Sequence, residues 1–221
     1  MSIQSVVFDL DGTLLDTIAD IGAAMNTALR MAGLPVHPTE AYRGMVGWGL
    51  RRLAEAAVPA DYAGNGDMDD IYAHLLAAYK ENPVVYTRPY EGVVEVLEQL
   101  SDSGCSLGVL SNKSHDLVVR IVQLCLPAGV FDEVRGVRPG TPHKPDPSGV
   151  REVLSIMGSR PDESLFVGDS ALDIKTAIAV GAVPVGVSWG FRPVAELKDA
   201  GAAFIIDNPH EIKEIITSMI S

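Results

Sequence analysis

The chain has 221 residues, 47% of them hydrophobic and 21% charged, which suits one sizeable domain or a core with a small second unit. Its formal net charge of −12 argues against nucleic acid and anionic membrane surfaces as partners, and an anionic substrate would need a local cation. No apolar run is long enough to span a bilayer.

The N-terminal apolar stretch is short, has no basic residue before it and ends in Asp9, so a leader peptide is not expected. A cytoplasmic location is expected, with Cys105 and Cys125 as buried free thiols.

In chain order, Ser5-Val6-Val7-Phe8 reads as the first strand. From about Thr17 to Asn82 the pattern is helical, with segments at Ile18 to Met31, Leu50 to Ala57 and Met68 to Lys80 and a short polar loop over Ala63 to Asp67. Strands follow at Cys105 to Leu110, Ser164 to Val167, Val183 to Val187 and Ala203 to Ile206. Between and after them lie helical patterns at Gly92 to Ser101, Ser114 to Cys125, Pro147 to Met157, Ala171 to Val180 and Pro209 to Met219. Continuous β-branched runs separated by helices predict an α/β fold, a doubly wound parallel sheet buried on both faces. The helical stretch predicts an all-α insert after the first strand. The expected division is a core of residues 1–15 and 86–221 and an insert of residues 16–85.

The first strand runs into Asp9-Leu10-Asp11-Gly12-Thr13. Strand alternation points Asp9 and Asp11 the same way, about 6–7 Å apart. They stand at the carboxyl end of a parallel strand, where open α/β sheets bind ligands. An EF-hand calcium loop also begins D-x-D, but its later ligands and glycine are absent here. Ser111-Asn112-Lys113 follows the second strand, and Ser111 reads equally as a helix N-cap. His143-Lys144-Pro145-Asp146 precedes a helix, and Lys144 alone would read as a solvated lysine. Asp169 ends a later strand and reads equally as a cap, with Asp173 on the same helix face.

Together, D-L-D-G-T, S-N, H-K-P-D-P and G-D-S-x-x-D resemble the haloacid dehalogenase superfamily of phosphatases over nearly the whole chain. Leu14 to Thr17, Val46 to Gly49 and Val187 to Phe191 look most like phosphoglycolate phosphatases. The resemblance implies that Asp9 is the nucleophile, Asp11 the general acid and base, and Lys144 the phosphate-side cation. It also implies Mg2+ held by Asp9, Asp169 and the main-chain carbonyl of Asp11, with Asp173 behind them orienting Lys144 or a metal-bound water. Gly12, Thr13, Ser111 and Asn112 are expected at the phosphate. The insert is expected to act as a cap hinged near Leu15 and Tyr86 to Pro89. Arg51 or Arg52 is expected to meet a substrate carboxylate, the alternative being ordinary exposed charges, and Trp48 to stand at the site rim or in the core. The expected partner is a small phosphate ester, and the expected assembly is a monomer or homodimer. The alternative activities are a broad small-molecule phosphatase, a pyrophosphatase or a phosphosugar mutase, and outside enzymes a phospho-accepting receiver module.

Overall fold

The computed structural model describes residues 3–65 and 67–219. β1 (Ser5–Phe8) leads into a two-residue strand, β2 (Leu15–Asp16). Then come α1 (Ile18–Met31), a 3-10 turn (Thr39–Gly44), α2 (Leu50–Ala57), α3 (Ala60–Asn65) and α4 (Met68–Glu81). The chain returns through β3 (Arg88–Pro89) to α5 (Val93–Asp102), β4 (Ser106–Ser114), α6 (His115–Cys125) and β5 (Glu133–Val137). It continues with α7 (Ser148–Ile156), β6 (Ser164–Gly168), α8 (Ala171–Val180) and β7 (Val183–Val187). It ends with α9 (Val194–Asp199), β8 (Phe204–Ile206) and α10 (Glu211–Met219).

Six strands form one sheet in the order β5-β4-β1-β6-β7-β8, and every pairing in it is parallel. The apolar runs explain this. Val6 and Phe8 enter the core cluster shared with the helical insert, whereas Val7 enters a second cluster with Phe166, Val150 and Val153. A strand buried on both faces must be covered by helices on both sides. After β1 the chain builds outward through β4 and β5, then crosses back to build β6, β7 and β8 on the other side. β1 is therefore the switch point, and a crevice opens beyond its carboxyl end. Phe8 pairs with Val109 of β4 and Val167 of β6, so Asp9 emerges between those two strand ends.

The insert buries one face of each long helix. Ile21, Met25, Ala28 and Leu29 of α1 share a core with Ile71, Leu75 and Tyr79 of α4. Asn26 on α1 ties down the following loop: its amide donates to the His37 carbonyl, and its oxygen accepts from the His37 N–H and the Tyr42 hydroxyl. The insert's two connections lie side by side, because β2 and β3 pair antiparallel. Asp20, buried at the start of α1, fastens them. Its carboxylate accepts from the Val85, Tyr86 and Thr87 N–H groups and from the Thr87 hydroxyl at 2.6 Å. Asp20→Ala should leave these donors without their charged acceptor and lower stability by about 2–4 kcal/mol, read by urea unfolding. A loss under about 1 kcal/mol would mean that water replaces the carboxylate at no cost.

Several elements differ from the sequence expectation. β4 runs on to Ser114, so Ser111, Asn112 and Lys113 lie in the strand rather than at a helix start. The cap of α6 is Ser114, and Ser111 is not a helix cap. β5 was not expected because Glu133 and Arg135 break its apolar character. Arg135 is buried there with Glu133 and Glu152 as partners. Residues 60–65 form α3 where a loop was expected over Ala63 to Asp67, with Gly66 outside the described residues. Both cysteines are free and half-buried, and no helix among the described residues is long and apolar enough to cross a membrane.

Candidate active site

The crevice beyond β1 gathers side chains from four strand ends. Asp9 follows β1 and is buried. Lys144 reaches it from the loop before α7, its Nζ donating to Asp9 Oδ1 at 2.6 Å, Asp173 Oδ1 at 2.7 Å and the Leu110 carbonyl at 3.1 Å. All three ammonium hydrogens are thereby used. The Asp173 Oδ2 accepts from the Ser170 N–H and hydroxyl, so Asp173 closes the capping box of α8 and orients Lys144 at once. Ser170 is the cap, and Asp169 is free of that duty.

Asp169 leaves β6 beside Asp9 and accepts the Phe191 N–H at 2.7 Å. Two glycines make its place. Gly12 has φ +84°, and a Cβ on it would lie 2.2 Å from Asp169 Oδ2. A Cβ on Gly190 would lie 2.2 Å from Asp169 Cβ. Asn112 holds the two halves of the site together: its oxygen accepts the Lys144 N–H at 2.7 Å, and its amide donates to the carbonyls of Lys144 and, in the insert, Gly47.

Asp11 sits apart from this group. Its Oδ1 accepts from Lys113 Nζ and Thr17 Oγ1, each at 2.6 Å. Lys113 also donates to the Tyr79 hydroxyl of α4 at 2.7 Å, so a chain of bonds links the insert to Asp11.

Burial and mutual repulsion set the electrostatics. Burial pushes Asp9 up to about 7, Asp173 and Asp11 add to the rise, and Lys144 opposes it. Burial, then Asp173 and Asp9, raise Asp169 as well. Lys144 is raised, since Asp173 and Asp9 outweigh a burial effect of opposite sign. Four carboxylates thus share the floor with two cations among the described residues, Lys113 and Lys144. The excess negative charge suits a divalent cation. Asp9, Asp169 and Asp173 each offer an oxygen within 4.8 Å of the others. Asp173 has both oxygens engaged, so Asp9 and Asp169 are the better ligands, each with one oxygen carrying no bond from the described residues. Two buried carboxylates with free oxygens fit magnesium.

Over this floor lies a cavity of about 40 Å3. Its roof is apolar, made by Ile21, Val46, Leu50 and Leu53 of the insert with Leu172 and Phe191 of the core.

The sequence pattern of the family described as haloacid dehalogenase-like hydrolase matches residues 6–187. The chain belongs to that family. This hydrolase is 30% identical over 215 residues to the phosphoglycolate phosphatase of Aquifex aeolicus, covering 97% of each chain. It is 32% identical over 221 residues to the N-acetylmuramic acid 6-phosphate phosphatase of Pseudomonas aeruginosa, covering 98% of this chain and 96% of that one. Among solved structures, a proposed phosphoglycolate phosphatase of Lactobacillus delbrueckii subsp. bulgaricus superposes with a TM-score of 0.90 at 27% identity, covering 98% of this chain and 99% of that one.

The hydrolase brings together Asp9, Asp11, Ser111, Asn112, Lys144 and Asp169 around one cavity, with Asp173 behind Lys144. Other residues expected near the site lie outside the cavity lining. Arg51 lies over the Tyr72 ring and pairs with Asp69 and Glu55, and Arg52 pairs with Glu55. Neither lines the cavity, because acidic neighbours on α2 and α4 hold both on the outer surface. Trp48 is 48% exposed and lines neither the cavity nor the core. The N–H groups of Gly12 and Thr13 bond to the carbonyls of Leu15 and Leu10, and neither residue lines the cavity. Lys113 and Arg192 line the cavity and were not expected. Lys113 adjoins the S-N pair, and a strand read three residues further would have found it. Arg192 carries no comparable signal.

Proposed function

We propose that this hydrolase is a magnesium-dependent phosphatase that cleaves a small phosphate monoester through an aspartyl phosphate on Asp9. The bridge from Lys144 to Asp9 and Asp173, with Asp169 alongside, carries the reading. Lys144 fixes the Asp9 carboxylate, and one of its two oxygens attacks phosphorus. The P–O bond to the alkoxide breaks as the Asp9–phosphorus bond forms, and Asp11 gives the alkoxide its proton. Water then attacks the acyl phosphate, Asp11 takes a proton from it, and phosphate leaves with Asp9 restored. Asp9, Asp169 and the Asp11 main-chain carbonyl would hold magnesium, which when bound offsets the charge gathering on the phosphoryl oxygens. The Ser111 hydroxyl, which lines the cavity, would donate to the same oxygens.

Residues 16–85 act in this reading as a cap on a core of residues 1–15 and 86–221, opening at the connections paired through β2 and β3. Closure excludes water from the phosphoryl transfer. The favoured ester is 2-phosphoglycolate, supported by the relatives of that name and by the small size of the cavity. The muramic acid relative supplies a second ester to compare.

The test is phosphate release, with magnesium, from 2-phosphoglycolate, N-acetylmuramic acid 6-phosphate, pyrophosphate, a hexose phosphate and p-nitrophenyl phosphate. The expected result is a kcat/KM for 2-phosphoglycolate at least about tenfold above the others. Release from none of them would sink the phosphatase reading, and a higher value for another ester would move the substrate.

A further inference from the structure

We propose that Arg192 reads a carboxylate on the substrate, from the seam between the sheet and the helical insert. The inference rests on the phosphatase reading and names the recognition residue of that same site.

Among the described residues, three cationic side chains line the cavity: Lys113, Lys144 and Arg192. Lys144 has every donor committed to Asp9, Asp173 and Leu110. Lys113 is committed to Asp11 and Tyr79. Arg192 is different. Its guanidinium donates to two neutral acceptors only, the carbonyls of Gly44 at 3.1 Å and Val46 at 2.9 Å, and has no carboxylate partner among the described residues. A guanidinium has five N–H donors, so three remain. Arg43, the other arginine at this seam, is already paired with Glu40 and lies over the Phe191 ring without lining the cavity.

Charge then orients the substrate. The phosphate end belongs on the floor with Lys144. A second anionic end would be repelled by Asp9, Asp11 and Asp169 and must turn toward the roof. There it meets Val46, Leu50, Leu53, Leu172 and Phe191, which can neither pair with it nor screen it. Arg192 is the cation on that side, and its planar fork matches a carboxylate. Its two carbonyl bonds run to the insert, next to the Gly47 carbonyl that accepts from Asn112. The guanidinium is therefore fixed in place only while the insert is seated. The ligand class is a compact phosphate ester with a carboxylate a few atoms from phosphorus.

The experiment compares 2-phosphoglycolate with 2-hydroxyethyl phosphate, in which an alcohol stands where the carboxylate was. The quantity read is the ratio of their kcat/KM values in the wild type, Arg192→Met and Arg192→Lys. A general loss from a loosened insert affects both esters and cancels in the ratio. The expected ratio falls about 10- to 100-fold in Arg192→Met and by less in Arg192→Lys. A ratio within about threefold of wild type in Arg192→Met overturns the proposal. So does a wild type that turns over both esters equally, which would leave the phosphatase reading standing. A wild type that releases phosphate from neither overturns the proposal, and the phosphatase reading falls with it only if the wider panel of esters also yields none.

Discussion

Asp9→Asn is expected to lower turnover by at least about 10^4-fold while the protein stays folded. Asparagine matches the carboxylate in shape and lacks its nucleophilic oxygen. The fold should survive because Lys144 keeps Asp173 and the Leu110 carbonyl as partners. Removing one buried carboxylate also relieves repulsion among Asp9, Asp11 and Asp173. The metal-free variant should therefore melt no lower than the wild type. Phosphate release and thermal melting check the two halves separately. Retention of more than about 1% of activity would remove Asp9 from the nucleophile's role.

Chelation is expected to abolish activity, Asp169→Ala to raise the magnesium requirement steeply, and calcium to inhibit, because its longer and looser coordination spoils in-line geometry. The same carboxylates make metal-free stability depend on pH. Asp9 is pushed up to about 7 from 3.8, and Asp169 is raised too. A carboxyl group raised on folding keeps its proton in the folded state where the unfolded chain has lost it. The folded protein thus binds more protons between about pH 4 and 7, and stability falls as pH rises through that window. In chelator the melting temperature should be lower at pH 8 than at pH 5, and magnesium should recover most of the difference at pH 8. A melting temperature that climbs with pH in chelator would show that the lysines already neutralise the cluster.

The sheet was legible wherever burial on both faces left an uninterrupted apolar run, as in Ser5 to Phe8 and Ser164 to Val167. β5 was hidden because Arg135 is buried by pairing with Glu133 and Glu152, the latter on α7. The end of β4 was hidden for a related reason. Ser111, Asn112 and Lys113 look like loop residues, yet all three are buried, with Lys113 satisfied by Asp11 and Tyr79. Partners so far away in sequence leave no periodic trace. Asp9, Asp11, Lys144 and Asp169 were visible because each stands at a strand end or loop with a short, chemically odd string around it. Arg51 and Arg52 stood out for charge density alone, which says nothing about Asp69 standing 18 residues on. Arg192 follows an aromatic turn with no such string, and only the fold carries it to the cavity.

The pairing of β2 with β3 has a consequence for how such a protein can be altered. Because Leu15 faces Pro89 and Asp16 faces Arg88, the helical insert begins and ends at one spot on the sheet. It can in principle be exchanged as a cassette, since lengthening a closed loop costs only slowly more entropy. Asp20 and Thr87 would form its clasp. A cassette from a relative would bring its own Val46, Leu50 and Leu53, and hence a new roof. Arg192 would stay behind on the host. A chimera should then acquire the donor's tolerance for substrate bulk and keep the host's preference for charge, separating two parts of recognition.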